Sequence, residues 1–147
     1  SYSEQYFMYA KARLFGDDIA VEAIKKAAKP LEAKRWGRKV KNFDDKVWKA
    51  ESERLMAVAC YRKIQQNSEL REALFSTRGR ILVEASPRDN VWGVGLSARD
   101  PAISDPSKWR GANKLGRILT LIREHMPESG VYTESSEHVS LIHTACI

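Results

Sequence analysis

Glu4 and Lys11 stand seven residues apart near the start of the chain. On an α-helix seven residues are close to two full turns and about 10 Å of rise, so both side chains leave one face. That is too far for a direct salt bridge and suits two groups that flank a small molecule, with Met8 between them. A carboxylate beside an amine offers general acid–base work together with nucleophilic amine chemistry. Two plainer roles compete. Ser1-x-x-Glu4 fits a capping box, and Lys11 could simply face water.

A second constellation runs through Trp92-Gly93-Val94-Gly95-Leu96, Asp100 and Trp109-Arg110-Gly111-Ala112-Asn113-Lys114-Leu115-Gly116. Four of the eight glycines fall in these 25 residues, which allows sharp turns and close backbone approach to a ligand. The second half leads from a loop into a helix, whose unpaired N–H groups and positive dipole end would suit phosphate or ribose oxygens. Asn113 can donate and accept there, and Trp92 and Trp109 could stack on a base or cover a sugar. The spacing fits neither a Walker A loop nor a dinucleotide fingerprint. A structural turn holding two core tryptophans explains it equally well. Asp89, just before Trp92, could hold ribose hydroxyls or bond its own turn backbone.

The run from Lys34 to Lys41 places Trp36 among five positive charges, including Arg35, a pattern that suits a phosphate beside a stacked base. A solvated loop is the ordinary alternative. His138, His143 and Cys146 have no spacing that fixes a metal geometry, and no metal or cofactor is expected.

The elements that must position these residues read as mostly helical. A helix is expected over 3–15, stopped by Gly16, with Asp17 or Asp18 capping the next over 19–28. Pro30 starts a short piece through Arg35 that Trp36-Gly37 ends. The longest helical pattern covers 45–64, with Val47, Leu55, Val58 and Ala59 as its stripe. Asn67 or Ser68 caps a helix carrying Leu70 and Leu74. Arg80 to Ala85 is the best strand candidate, and 91–106 is loop or short strands. A last helix spans 112–126 and Pro127 ends it. Residues 127–147, rich in Ser, Thr and Glu, read as a flexible or weakly docked tail.

The 147 residues suffice for one domain with a real core. No apolar run approaches the roughly 20 residues of a membrane helix. No secretory signal opens the sequence, and two cysteines exclude a disulfide scaffold, so the cytoplasm is the expected compartment, or the nucleus in a eukaryote. The net charge is +6, and no Lys or Arg follows Pro127. Such a basic body favours an anionic partner: a phosphorylated small molecule, a dinucleotide or a nucleic acid.

Four pieces in order complete the reading: Ser3-Glu4-Gln5-Tyr6-Phe7-Met8-Tyr9-Ala10-Lys11-Ala12, Ala33-Lys34-Arg35-Trp36-Gly37-Arg38, Ser86-Pro87-Arg88-Asp89-Asn90-Val91-Trp92-Gly93-Val94-Gly95-Leu96 and Trp109 to Leu119. Together they resemble the signature of the YbiA-like, or NADAR, family over residues 1–126. The resemblance implies a compact, predominantly helical α+β domain with a few short strands, and an N-glycosidase without a cofactor. Family members cleave the bond between ribose and base in phosphoribosylamino-pyrimidine intermediates of riboflavin synthesis, or remove ADP-ribose from guanine in nucleic acid. By the same resemblance Glu4 falls at the catalytic glutamate and Lys11 at the lysine that attacks the anomeric carbon. Arg35, Trp36, Asp89, Trp92, Gly93, Gly95, Asp100, Trp109, Gly111, Asn113 and Gly116 fall in or near motifs expected to bind the substrate. Family members usually carry a further N-terminal segment before the Ser-Glu-Gln motif, so an N-terminally shortened domain is expected. A non-catalytic ADP-ribose, nucleotide or nucleic-acid binding module, or an inactive fragment, is the alternative.

Overall fold

Gly16 has φ +70°, in the left-handed region that glycine enters without steric cost, and it ends the first helix, α1 (Tyr2–Leu14). The reversal delivers Asp17 to the start of α2 (Asp18–Lys26), where its Oδ1 accepts from Ala20 N at 3.0 Å. Its Oδ2 accepts from Lys41 N at 2.8 Å, so one buried carboxylate caps a helix and ties down a distant loop. These bonds from Lys41 and Ala20 hold its pKa below the ordinary aspartate range. The computed structural model describes residues 2–130, with side chains from Glu4 onward. Its backbone divides into two compact units, the first reaching Lys63 and the second starting at Ile64.

In the first unit α1 packs on α2 and on α3 (Pro30–Arg38). Ala12 and Ala33 are fully buried, so small side chains sit where these helices meet. Ile24 of α2 is fully buried in the same cluster, a side chain whose burial is worth about 1.5–3 kcal/mol. Gln5 closes the far end of α2 by donating from Nε2 to Ile24 O at 2.8 Å and Ala27 O at 3.2 Å. The expected stop at Trp36-Gly37 is corrected: α3 continues to Arg38 with Gly37 buried inside it. That glycine serves close approach, since a Cβ there would overlap the Met8 sulfur.

α4 (Asp45–Gln65) occupies the expected span and fully buries only Ala59 of the expected stripe. Trp48 packs on Phe7 with ring centroids 5.0 Å apart, and Ser52, Ala57 and Cys60 turn inward beside Ala59 while Val47 is exposed. Burial pushes the Cys60 thiol up to about 11, so it is an inert core residue.

The second unit holds α5 (Ser68–Phe75), capped by Asn67, and α6 (Lys114–His125), which pack on each other. Buried Arg123 of α6 donates from Nη1 to Thr77 O at 2.7 Å and Arg80 O at 2.9 Å, fixing the turn after α5. The strand expected over Arg80 to Ala85 is absent, and the described residues hold six helices and no strand. The α+β expectation is therefore met only in its helical part. The reason is local. Leu82 O and Glu84 N bond the Asn113 side chain, and Glu84 O accepts from Val94 N, so a loop takes the bonds a partner strand would have taken. Residues 131–147, with His138, His143 and Cys146, lie outside the described residues.

Candidate active site

α1 presents Glu4, Met8 and Lys11 to α3. The Glu4 Oε1 pairs with Lys34 Nζ at 2.6 Å, and the Lys11 Nζ donates to Gly37 O at 2.8 Å. Gly37 lies in the last turn of α3, where a helix carbonyl lacks an intrahelical donor and carries partial negative charge. The Lys11 amine also sits 4.6 Å from the Phe43 ring centre and 5.3 Å from that of Trp48. Met8 fills the space beside Gly37 between the two groups. Lys11 thus does not face water freely: burial lowers its pKa from that of an exposed lysine. The carbonyl and the two rings oppose that shift by favouring the ammonium, and burial prevails. Ser1, the other half of the expected capping box, lies outside the described residues.

Arg35 is exposed on α3, while the Trp36 ring packs against the α1–α2–α3 core. An open groove of about 390 Å³ between α1 and α2, lined by Gln5, Tyr6, Tyr9, Ile24 and Lys25, holds none of the expected site residues.

In the second unit the glycine-rich segments fold onto each other. Val94 O accepts from both Arg110 N and Gly111 N at 2.9 Å, and Gly93 O accepts from Asn113 N at 3.0 Å. A Cβ on Gly111 would run into Gly93 O and the Asn90 backbone, and one on Gly93 would lie 2.9 Å from two carbonyl oxygens. Gly95 has φ +71° and abuts the Asn90 side chain, and Gly116 is pressed against Leu82 O. Asp89 makes the local turn: Oδ1 accepts from Val91 N at 2.9 Å and Trp92 N at 2.8 Å. Asp100 likewise caps a short 3-10 turn through Ala102 N, and the Trp109 ring nitrogen donates to Ile103 O at 2.9 Å.

The expected phosphate seat at the start of α6 is corrected by these bonds. Lys114 N donates to Val91 O and Leu115 N to Trp92 O, so the first amides of the helix are already taken by loop carbonyls. Asn113 itself is buried, at φ +50°, with its amide spent on Leu82 and Glu84.

Lys34, Gly37, Phe43 and Trp48 were not among the expected site residues, although each touches Glu4 or Lys11. Lys34 and Gly37 stand three residues apart and so share one face of α3, but nothing in that spacing marks Glu4 and Lys11 as their partners. Among the described residues no group of three or more His, Cys, Asp or Glu could hold a metal, and no helix is long and apolar enough to cross a membrane.

The model of the NADAR domain matches residues 1–127. The chain belongs to the NADAR family. It is 44% identical over 126 residues to Protein irg-1 of Caenorhabditis elegans, covering 84% of this chain and 59% of that protein. It is 38% identical over 122 residues to N-glycosidase R617 of Acanthamoeba polyphaga mimivirus, covering 83% and 72%. It is 32% identical over 124 residues to N-glycosidase YbiA of Escherichia coli strain K12, covering 84% and 69%. This NADAR chain thus spans less than two thirds of irg-1 and about seven tenths of the two N-glycosidases. Both described units, with Glu4 and Lys11 in one and the Asp89–Asn113 segment in the other, lie almost wholly within the matched span.

Proposed function

We propose that this NADAR chain hydrolyses the N-glycosidic bond between a phosphorylated ribose, as phosphoribose or ADP-ribose, and a base, with Lys11 as nucleophile and Glu4 as acid–base partner. The observation that carries the reading is the pair of tethers on α3: an amine whose pKa burial lowers and a carboxylate, both held facing α3. Two relatives bear the name N-glycosidase, which supports the reaction class.

The neutral fraction of the Lys11 amine attacks ribose C1, and the bond from C1 to the base nitrogen breaks. The base leaves with a proton that Glu4 can deliver as general acid. The new secondary amine gives its proton to Glu4, which passes it to O4 as the ring C1–O4 bond opens, leaving a protonated Schiff base and a Glu4 carboxylate. Water then adds to C1, with Glu4 as base, and the amine departs. The net change is one water consumed, one sugar and one free base released. Asp89 uses only Oδ1 in its turn, which keeps Oδ2 for ribose hydroxyls. The family motifs support Arg35, Trp36, Trp92, Asp100 and Trp109 as substrate contacts, with the motif glycines and Asn113 shaping the loop that carries them.

Incubation with ADP-ribosylated guanine in DNA and, separately, with the phosphoribosylamino-pyrimidine tests this, reading freed base by mass spectrometry. Release by wild type, with loss in Glu4→Gln and Lys11→Ala, is expected, and the faster substrate names the subclass. A second reading, binding without turnover, is favoured by one observation: the resting Lys11 amine lies on a carbonyl and an aromatic face that suit an ammonium. Binding by calorimetry with no release by wild type would establish it.

A further inference from the structure

We propose that Lys34 is the positioning residue for the Glu4 carboxylate, so that α3 acts as the template setting both groups of the site. The inference rests on the glycosidase reading above and concerns a residue outside the expected set.

Glu4 lies in the first turn of α1, where a helix lacks its full set of backbone bonds and its ends fray. A glutamate has several side-chain torsions to fix, and a carboxylate that must meet a sugar atom gains from being held beforehand. Lys34 supplies the hold from a second element, at 2.6 Å. The neighbouring Ala33 is fully buried, so the backbone bearing Lys34 is locked into the helical core. Three residues on, Gly37 O holds the Lys11 amine. One face of α3 therefore touches the carboxylate through a cation and the amine through a carbonyl. Both charged partners of the pair are part-exposed, which suits an orienting contact that water can reach and sets its strength as modest.

The competing role for Lys34 is direct contact with the anionic substrate, and the kinetic signatures differ. Removing a group that only orients Glu4 lowers kcat and leaves KM, whereas removing a ground-state contact raises KM. We expect Lys34→Met to lower kcat by about two- to fivefold, the factor a part-exposed ion pair is worth, with KM and thermal midpoint unchanged. Lys34→Arg, which keeps a cation within reach, should restore most of the loss. In a Glu4→Asp background, whose carboxylate is drawn back from Lys34 by one methylene, Lys34→Met should have a smaller effect than in the wild type. A raised KM with unchanged kcat, an equal loss in both backgrounds, or wild-type kinetics in both Lys34→Met and Lys34→Gln would overturn the proposal. Active wild type with an indifferent Lys34 defeats this inference alone. No release by wild type defeats the glycosidase reading and takes this one with it.

Discussion

Replacing Asn113 tests whether the loop that carries the second motif is built as described. Its side chain is only 3% exposed, and its Oδ1 accepts from Glu84 N at 3.0 Å while Nδ2 donates to Leu82 O at 2.9 Å. Its backbone is left-handed at φ +50°, a region asparagine tolerates and alanine does not. Asn113→Ala removes two bonds at about 1 kcal/mol each and adds about 1 kcal/mol of backbone strain, or about 3 kcal/mol in all. Asn113→Gly loses the same bonds without the strain and should cost about 2 kcal/mol. Urea unfolding followed by circular dichroism reads both; with a slope of about 1–3 kcal/mol/M the alanine midpoint falls by at least about 1 M. Alanine must be worse than glycine. A midpoint for Asn113→Ala indistinguishable from wild type, or a glycine variant less stable than alanine, would refute the reasoning. Unchanged stability with a raised KM would make Asn113 a ligand contact in place of a staple.

Other outcomes follow from single contacts. Because burial holds Lys11 below the 10.5 of a free lysine, its rate of reaction with an amine-acylating reagent should rise about tenfold per pH unit and level off below pH 10.5; a plateau only above that value counts against the buried amine. The unfolded chain binds that proton more tightly, so between the lowered pKa and 10.5 stability should rise with pH, and Lys11→Met should flatten that rise. Asp17→Ala should lower the thermal midpoint by several degrees near neutral pH. Since the Asp17 pKa is depressed, its contribution is present above the ordinary aspartate pKa and is lost as pH falls through the lowered one, so the two melting curves should converge in acid. Gly79→Ala, at φ +78° with open space around it, should cost about 1 kcal/mol. Gly111→Ala drives a Cβ into the Gly93 carbonyl and should cost at least about 2 kcal/mol or abolish soluble expression; equal stability of the two variants would contradict the packing described.

What could be read from the sequence was what local chemistry decides. Asp17 and Asn67 announce helix starts because the bonds they accept, from Ala20 N and Leu70 N, lie three residues away. The common face of Glu4, Met8 and Lys11 follows from helical period alone, and α3 meets all three. Their partners were not legible for a physical reason: Lys11 donates to a backbone oxygen 26 residues on, and any residue type carries such an oxygen. The Arg80–Ala85 segment has the composition of a strand, but a strand needs a neighbour, and Asn113 occupies that place from 29 residues on. The start of α6 has the glycines of an anion seat, yet the carbonyls of Val91, Trp92 and Gly93 fill it, which glycine count cannot reveal. Gly37 shows the same ambiguity, since a glycine that lets helices touch and one that ends a helix look alike in one dimension.

The central claim is that the Lys11 amine bonds covalently to the sugar, and borohydride trapping during turnover tests it most directly. The protein is mixed with ADP-ribosylated guanine or the phosphoribosylamino-pyrimidine, reduced, digested and mapped by mass spectrometry. The account predicts a reduced open-chain sugar adduct on the peptide containing Lys11, absent in Lys11→Ala and formed more slowly in Glu4→Gln. Release of base by wild type with no adduct on Lys11, or turnover that survives Lys11→Ala, would contradict it.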